Sequence, residues 1–309
     1  MKPDEQWPTA GILLPARVYD LAATLNSGQA FRWQKHGEFW IGVIGRNHVR
    51  LKQTSAGIIA ETNARIKDWD WVPNYLQTDI DLQKILKTFP NDDPMNRAVT
   101  ACRGLRILRQ EPWECLASFI LSSTKQIVQI RQIVARLCNC FGEEISNFNL
   151  SEPAPLRNGA SPKNSQTIND LARVFPSAEK IAGLTEKNLR DCRMGFRAPN
   201  LLAAARHIAE GKLELEALRH RSYHEARAEL MKLRGVGPKI ADCVLLFAYG
   251  FDSAFPVDVW VERALRTLYF PHRRVNEKEL LQFAATHFGP HAGYAQQYLF
   301  HYMRVTGNR

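Results

Sequence analysis

The chain has 309 residues, of which 45% are apolar and 23% are charged, and its net charge is +10. This length allows two or three domains with a buried core. No apolar run reaches the roughly 20 residues that a membrane-spanning helix needs. The first residues, MKPDEQWPTA, resemble neither a secretory nor a transit peptide. We therefore expect an intracellular protein with reduced thiols.

The first hundred residues predict a small β-rich domain, 1–100. The stretch FWIGVIGRNHVRLKQT (39–54) alternates apolar and polar residues, and glycines punctuate it as turns would. A short amphipathic helix is predicted at 81–89. NDDP (91–94) then supplies a cap and a first-turn proline for a helix that starts near Met95.

Residues 101–309 predict a larger, mainly helical region, so the fold class is α+β. The predicted helices cover 95–104, 112–122, 125–140, 166–174, 185–192, 198–210, 222–233, 239–249, 258–269, 276–287 and 291–304. The segment 143–167 is rich in Pro, Asn, Ser and Gly, which is typical of a mobile loop.

The positive charge is concentrated in the helical region. Residues 101–309 carry 29 Lys and Arg against 20 Asp and Glu. Such an excess indicates an anionic partner, most often nucleic acid, although a solvated basic surface stays an alternative. Of the six cysteines only Cys138 and Cys140 are close in sequence, which favours structural thiols over a metal site.

Two amphipathic helices joined by RGVGP form a predicted hairpin at 222–250. Gly235 and Gly237 allow a tight turn and a close approach to the backbone. The free N–H groups of the turn and of the next helix could bind a phosphate. A plain helical hairpin, in which the glycines only make the turn tight, is the alternative.

Two ionisable residues stand in this apolar region. Lys239 falls in the first turn of a helix, where the macrodipole favours the neutral amine, a nucleophile able to form a Schiff base. Asp258 follows Phe-Pro-Val and could stabilise positive charge on a sugar carbon. The alternatives are a surface lysine and a simple N-cap.

The hairpin, its lysine and the later aspartate make the sequence resemble the helix–hairpin–helix DNA glycosylases. The motifs that support this resemblance are L-x-G-V-G-x-K-x-A-D-C followed by P-V-D, LNSGQAFRW (25–33), LRQEPWECLASFILSS (108–123) and GYAQQYLF (293–300). Their order is most similar to that of 8-oxoguanine DNA glycosylases with lyase activity. The resemblance implies a β-rich N-terminal domain and two helical lobes flanking a cleft, with Lys239 and Asp258 as catalytic residues.

The resemblance also implies roles for the base pocket and the hairpin. The Gly28 carbonyl would accept a hydrogen bond from the N7–H of 8-oxoguanine, which guanine lacks. Phe300 and Cys243 would sandwich the extruded base, and Gln296 would read its Watson–Crick edge. The hairpin residues expected to contact DNA are Gly235, Val236, Gly237 and Ile240.

Several positions depart from the family pattern on the side of the opposite base. Thr124 and Gln129 stand where the family has an Asn and an Arg that contact the estranged cytosine. Arg197 keeps a second arginine, Phe196 replaces a wedging Tyr, and Trp260 replaces a phosphate-contacting His. We therefore expect weak discrimination among bases opposite the lesion.

Together these observations predict a bifunctional glycosylase that removes 8-oxoguanine and cleaves the strand 3′ to the abasic site by β-elimination. The expected partner is double-stranded DNA containing 8-oxoguanine, bound by a monomer in the bacterial cytoplasm or the nucleus. No cofactor is expected. No cysteine follows Cys243, which excludes the superfamily's iron–sulfur cluster, although hairpin carbonyls could hold a monovalent cation. The alternatives are a glycosylase for other oxidised or alkylated bases, and a non-catalytic DNA-binding protein.

Overall fold

The computed structural model describes residues 10–62, 64, 66–145 and 171–307. Within these ranges, an antiparallel five-stranded sheet comes first and a set of helices follows. The predicted α+β class, with a β-rich N-terminal part and a mainly helical remainder, is confirmed.

The sheet has the strand order β1-β5-β4-β3-β2, and each neighbouring pair is antiparallel. The strands are β1 (Ala10–Leu14), β2 (Trp33–His36), β3 (Phe39–Ile44), β4 (Asn47–Gln53) and β5 (Ile58–Thr62). Alternation along β4 buries Val49 and Leu51, whereas the intervening Arg50 pairs with Glu61 on the opposite face. One face of the sheet is therefore buried in its own small core.

Most helices begin at a residue whose side chain caps them, as the sequence leads one to expect. The helices are α1 (Leu21–Asn26), α2 (Trp71–Leu76), α3 (Leu82–Leu86), α4 (Asp93–Ala101), α5 (Pro112–Leu121), α6 (Ile127–Phe141), α7 (Ala178–Ala182), α8 (Glu186–Asp191), α9 (Ala198–Ala209), α10 (Tyr223–Met231), α11 (Pro238–Val244), α12 (Val259–Tyr269), α13 (Glu277–His287) and α14 (Ala292–Thr306). A 3-10 turn (Gly195–Arg197) precedes α9, a second (Glu216–His220) precedes α10, and a π-helical turn (Leu245–Tyr249) continues α11.

The helical core is built around α5, all of whose residues except Glu114 are buried. Helix α5 packs on α6, α9 and α11, and α14 packs on α4 and α12. Met95 and Ala98 of α4 are fully buried in this helical core. The predicted domain boundary at residue 100 stays a prediction.

The segment between α1 and β2 is fixed by buried amide side chains. Gln29 Nε2 donates to Arg106 O at 2.8 Å, and Gln29 Oε1 accepts from Leu108 N at 2.8 Å. From α14, Gln297 Nε2 donates to Ser27 O at 3.0 Å. These bonds hold the backbone on both sides of Gly28, whose φ is +80°, and tie it to the helical core.

The structure bears on two further predictions, the helix at 166–174 and the loop at 143–167. The helix predicted at 166–174 is wrong for residues 172–174, because the Ile145 N–H donates to Ala172 O and the Val174 N–H to Glu143 O. An extended bridge between Glu144 and Arg173 therefore forms instead. Most of the predicted loop 143–167 lies outside the described residues. None of the described helices has the length and apolar character that crossing a membrane requires.

We expect Gln29→Leu to lower the free energy of unfolding by about 2–4 kcal/mol, because the buried Leu108 N–H and Arg106 carbonyl would lose their partner. Urea unfolding measures the loss. The control is Gln282→Leu, at an exposed position of α13, which should change stability by no more than about 0.5 kcal/mol. Equal stability of the two variants would contradict the proposed anchoring of this segment.

Candidate active site

A buried carboxylate ties the two helices of the hairpin together. Asp242 of α11 is 5% exposed. Its Oδ1 accepts hydrogen bonds from the Tyr223 hydroxyl at 2.8 Å and from Arg227 Nε at 2.7 Å, both on α10. Desolvation nevertheless raises the pKa of Asp242. The arginine partner compensates for the buried charge and fixes α11 against α10.

The hairpin turn leaves part of its backbone open. Gly235 has a φ of +80°, and a Cβ on it would overlap the side chain of Asn200 on α9. Gly237 is extended and caps α11, and a Cβ on it would meet no atom within 4 Å. Val236 and Ile240 are buried and anchor the turn in the core. The geometry leaves room for a phosphate at Gly237, and contact of these four residues with DNA stays a prediction.

Lys239 lies in the first turn of α11 and is half-buried. Its Nζ is 3.3 Å from Ser122 Oγ, at the end of α5, and 5.3 Å from the centroid of the Phe119 ring. Ser122 Oγ itself donates to Phe119 O at 2.7 Å, so it can accept from the amine. Within the described ranges, no carboxylate lies within 4.0 Å of the Lys239 amine. The neighbours of the amine in the described ranges are thus neutral groups.

Asp258 is the N-cap of α12. Its Oδ1 accepts hydrogen bonds from Trp260 N at 3.0 Å and Val261 N at 2.9 Å. Among the residues that the structure describes, Oδ2 receives no hydrogen bond. The cap fixes the carboxylate and leaves one oxygen for other chemistry. Trp260 packs partly buried against the helical core, and its predicted contact with phosphate is not tested.

Cys243 lies one turn after Lys239 and is 4% exposed. Burial raises the pKa of the Cys243 thiol to about 12, with the Lys239 ammonium lowering it and the Asp258 carboxylate raising it. Both charges therefore act on this thiol, although they come from different helices. The thiol itself is neutral, and it provides an apolar surface next to the two ionisable groups.

Gly28 and Phe300 lie against each other on the other side of the site. A Cβ on Gly28 would be 2.7 Å from Ile127 Cδ1 and 3.3 Å from Phe300 Cε1. One turn before Phe300 on α14, Gln296 is buried, and in the described part of the chain its Oε1 has no hydrogen-bond partner. A buried acceptor without a partner is costly unless a ligand supplies the donor.

Arg304 connects these two groups of residues, and the sequence motifs did not include it. Its Cζ is 5.5 Å from the Phe300 ring centroid. Burial lowers the pKa of Arg304, and the Asp258 carboxylate opposes this shift. The sequence did hold a signal for Arg304. It lies four residues after Phe300 on one predicted helix, and residues i and i+4 share a helix face.

The residues predicted to face the opposite base form a separate cluster. Arg197 is 2% exposed, and it donates from Nε to Ser123 O at 2.7 Å and from Nη2 to Thr124 Oγ1 at 2.6 Å. Phe196 next to it is 60% exposed. The Oε1 of Gln129 accepts from Gln126 N at 3.2 Å, at the start of α6. Arg197 and Thr124 are thus hydrogen bonded to each other. The Gln129 amide instead caps the start of α6.

Metal ligands are not grouped anywhere in the described ranges, where no three His, Cys, Asp or Glu side chains come together. At the hairpin, Leu233 O accepts from Val236 N at 3.1 Å, and Gly237 O accepts from Ala241 N at 3.0 Å. The suggested monovalent cation and the absence of a cofactor stay predictions.

Comparison with known proteins gives matches over nearly the whole chain. Residues 11–116 match the N-terminal domain of 8-oxoguanine DNA glycosylase, and residues 117–290 match the HhH-GPD superfamily of base excision DNA repair proteins. The N-glycosylase/DNA lyase of Saccharomyces cerevisiae is 31% identical over 81% of this chain and 68% of its own length.

Two solved structures have the same fold. MBOgg1 in complex with a low-affinity DNA ligand superimposes with a TM-score of 0.85 at 31% identity, covering 99% of this chain and all of the other. The 8-oxoguanine glycosylase/lyase of Clostridium acetobutylicum, bound to DNA with cytosine opposite 8-oxoguanine, gives 0.81 at 30% identity, covering 94% and 93%. The chain therefore belongs to the 8-oxoguanine DNA glycosylases of the HhH-GPD superfamily.

Proposed function

We propose that Lys239 and Asp258 perform the glycosylase and lyase reactions of this family on 8-oxoguanine in double-stranded DNA. The single observation behind it is the Lys239 amine, which lies 3.3 Å from the neutral Ser122 Oγ and has no carboxylate within 4.0 Å in the described ranges. Membership in the family makes the chain an N-glycosylase/DNA lyase of base excision repair. The residue roles below are inferred from the site.

The damaged base must leave the stack to reach this pocket. The proposed pocket holds it between the Phe300 ring and the Cys243 thiol, and the unpartnered Gln296 Oε1 accepts from a base N–H. The Gly28 carbonyl accepts from N7–H. Guanine presents a bare N7 lone pair instead, so two acceptors would face each other and binding would lose free energy.

The chemistry needs only the two ionisable side chains. Once it has lost its proton, the Lys239 amine attacks C1′ as the bond to N9 breaks, and the base leaves with the electron pair. The free Oδ2 of Asp258 stabilises the positive charge that develops on the sugar and takes the amine proton. The sugar ring then opens to an imine on Lys239, a C2′ proton is removed, the 3′ C–O bond breaks, and water hydrolyses the imine.

The hairpin backbone near Gly237 and the basic charge of the helical region support duplex binding, with phosphate contacts supplying most of the affinity. The exposed Phe196 ring suits insertion at the lesion, where an extruded base leaves a gap in the stack. We propose that the protein acts as a monomer wherever the cell holds its DNA, in bacterial cytoplasm or a nucleus.

The site gives less support to two alternative functions. Lys239, held without a carboxylate partner in the described ranges, favours a bifunctional enzyme over a monofunctional glycosylase for alkylated bases. A non-catalytic DNA-binding protein would need neither the lysine nor Asp258. Borohydride trapping on 8-oxoguanine duplex separates the three functions, because only the proposed one yields a covalent adduct at that lesion.

We expect Lys239→Gln to abolish base release and borohydride trapping, because no amine would remain to attack C1′. Lesion binding should stay within about tenfold, since phosphate contacts dominate affinity. The matched control is Lys232→Gln in the same hairpin, where the exposed lysine pairs with Glu229. It should keep both activities. Strand cleavage by the pure Lys239→Gln protein would disprove the assignment.

Asp258→Asn should slow base release by roughly 10²-fold or more, since one preorganised electrostatic contact is typically worth that much. Asparagine caps helices as well as aspartate, so the free energy of unfolding should hardly change. Asp258→Ala should lose both rate and about 1 kcal/mol of stability. If the asparagine variant excised the base at the normal rate, Asp258 would be a helix cap alone.

Discrimination against the wrong opposite base should be weak. Gln129 caps α6, Thr124 offers no amide, and each missing base contact removes about 1–3 kcal/mol of discrimination. Thr124→Asn with Gln129→Arg should raise the cytosine preference in single-turnover excision from the four pairings. Gln282→Arg, which adds only charge, should not. A natural cytosine preference above about 10³-fold, or roughly 4 kcal/mol, would contradict this expectation.

A further inference from the structure

Arg304 lies at the edge of the proposed base pocket, in the last turn of α14. Its Nη1 donates to Asn26 O at 3.1 Å, two residues before Gly28. Its guanidinium carbon is 5.5 Å from the centroid of the Phe300 ring. Asp258 is close enough for its carboxylate to favour the arginine's charge. Arg304 therefore contacts the backbone just before Gly28 and lies over the Phe300 ring. The Asp258 carboxylate acts on its charge.

The positive charge of Arg304 is only partly compensated. Within the described part of the chain, no carboxylate oxygen lies within 4.0 Å of its guanidinium. Burial lowers the pKa of Arg304, and the Asp258 carboxylate offsets this only in part. One hydrogen bond goes to a neutral carbonyl, which leaves four of its five N–H groups for another acceptor.

A second guanidinium increases the positive potential at the same place. Arg131 of α6 donates from Nη2 to Asn26 Oδ1 at 3.2 Å, so both arginines reach the same residue. The charge of Arg304 lowers the pKa of Arg131, as does burial. Two like charges brought together in a half-buried position favour an anionic ligand between or beside them.

We propose that Arg304 binds a phosphodiester oxygen of the extruded nucleotide, with Arg131 adding to the positive potential. The inference rests on the proposed function, which places the base on Phe300. A phosphate then lies about one sugar away from that ring, and the guanidinium fork matches its two oxygens. The contact forms only after extrusion, because stacked DNA keeps its backbone outside this pocket.

The test separates a phosphate contact from a contact to the base. A duplex with a tetrahydrofuran abasic analogue keeps the phosphates and lacks the base. For this duplex, Arg304→Gln should weaken binding roughly tenfold and reduce the slope of log affinity against log salt by about 0.9. Undamaged duplex should bind as before. Arg304→Lys, which keeps the charge, should recover most of the slope.

The control variant is Arg190→Gln, at an exposed arginine of α8 that pairs with Glu186. It should change neither the affinity nor the slope. Urea unfolding of each variant excludes a general loss of structure. An unchanged salt slope for Arg304→Gln would overturn the proposal, and so would a loss seen only when the lesion base is present.

Methylphosphonates, which remove the charge of one phosphate at a time, identify the contact. At one of the two positions flanking the abasic analogue, the substitution should weaken wild-type binding but not weaken Arg304→Gln further. Additive losses at both positions would overturn the proposal. Borohydride trapping by the wild-type protein is measured in parallel, so failure of the proposed chemistry is distinguishable from failure of this contact.

Discussion

The buried amide of Gln29 is the interaction on which the arrangement of the site depends. It hydrogen bonds to the backbone at Arg106 and Leu108, and thus joins the segment before β2 to the segment that leads into α5. Gln110 Nε2 adds a bond to Gln29 O at 2.7 Å. Because these groups are buried, leaving any of them unpaired costs free energy. The glycine between α1 and β2 is therefore fixed relative to the helical core.

The two catalytic candidates are positioned by the starts of two helices. Pro238 opens α11, so Lys239 projects from a defined first turn, and Asp258 is held by two N–H groups of α12. The cap uses only Oδ1 of Asp258. One side chain can therefore stabilise the helix through Oδ1 and take part in the proposed chemistry through Oδ2. Cys243 lies within the field of both charges.

Sequence predicted the elements that local patterns determine: the strand alternation in 39–54, the hairpin and the cap at Asp258. It could not predict contacts between distant elements. Arg304 meets Asn26 across 278 positions, and only packing of α14 shows this. The bridge of Glu144 with Arg173 replaced a predicted helix because strand pairing depends on a partner elsewhere in the chain.

The proposed chemistry requires the Lys239 amine to become covalently attached to the sugar. Borohydride reduction of the reaction with 8-oxoguanine duplex, followed by peptide mapping, locates the modified residue directly. We predict a single modified peptide, with the sugar remnant on Lys239. A remnant on another amine, such as that of Lys125 or Lys232, would contradict it, as would release of 8-oxoguanine without any trapped adduct.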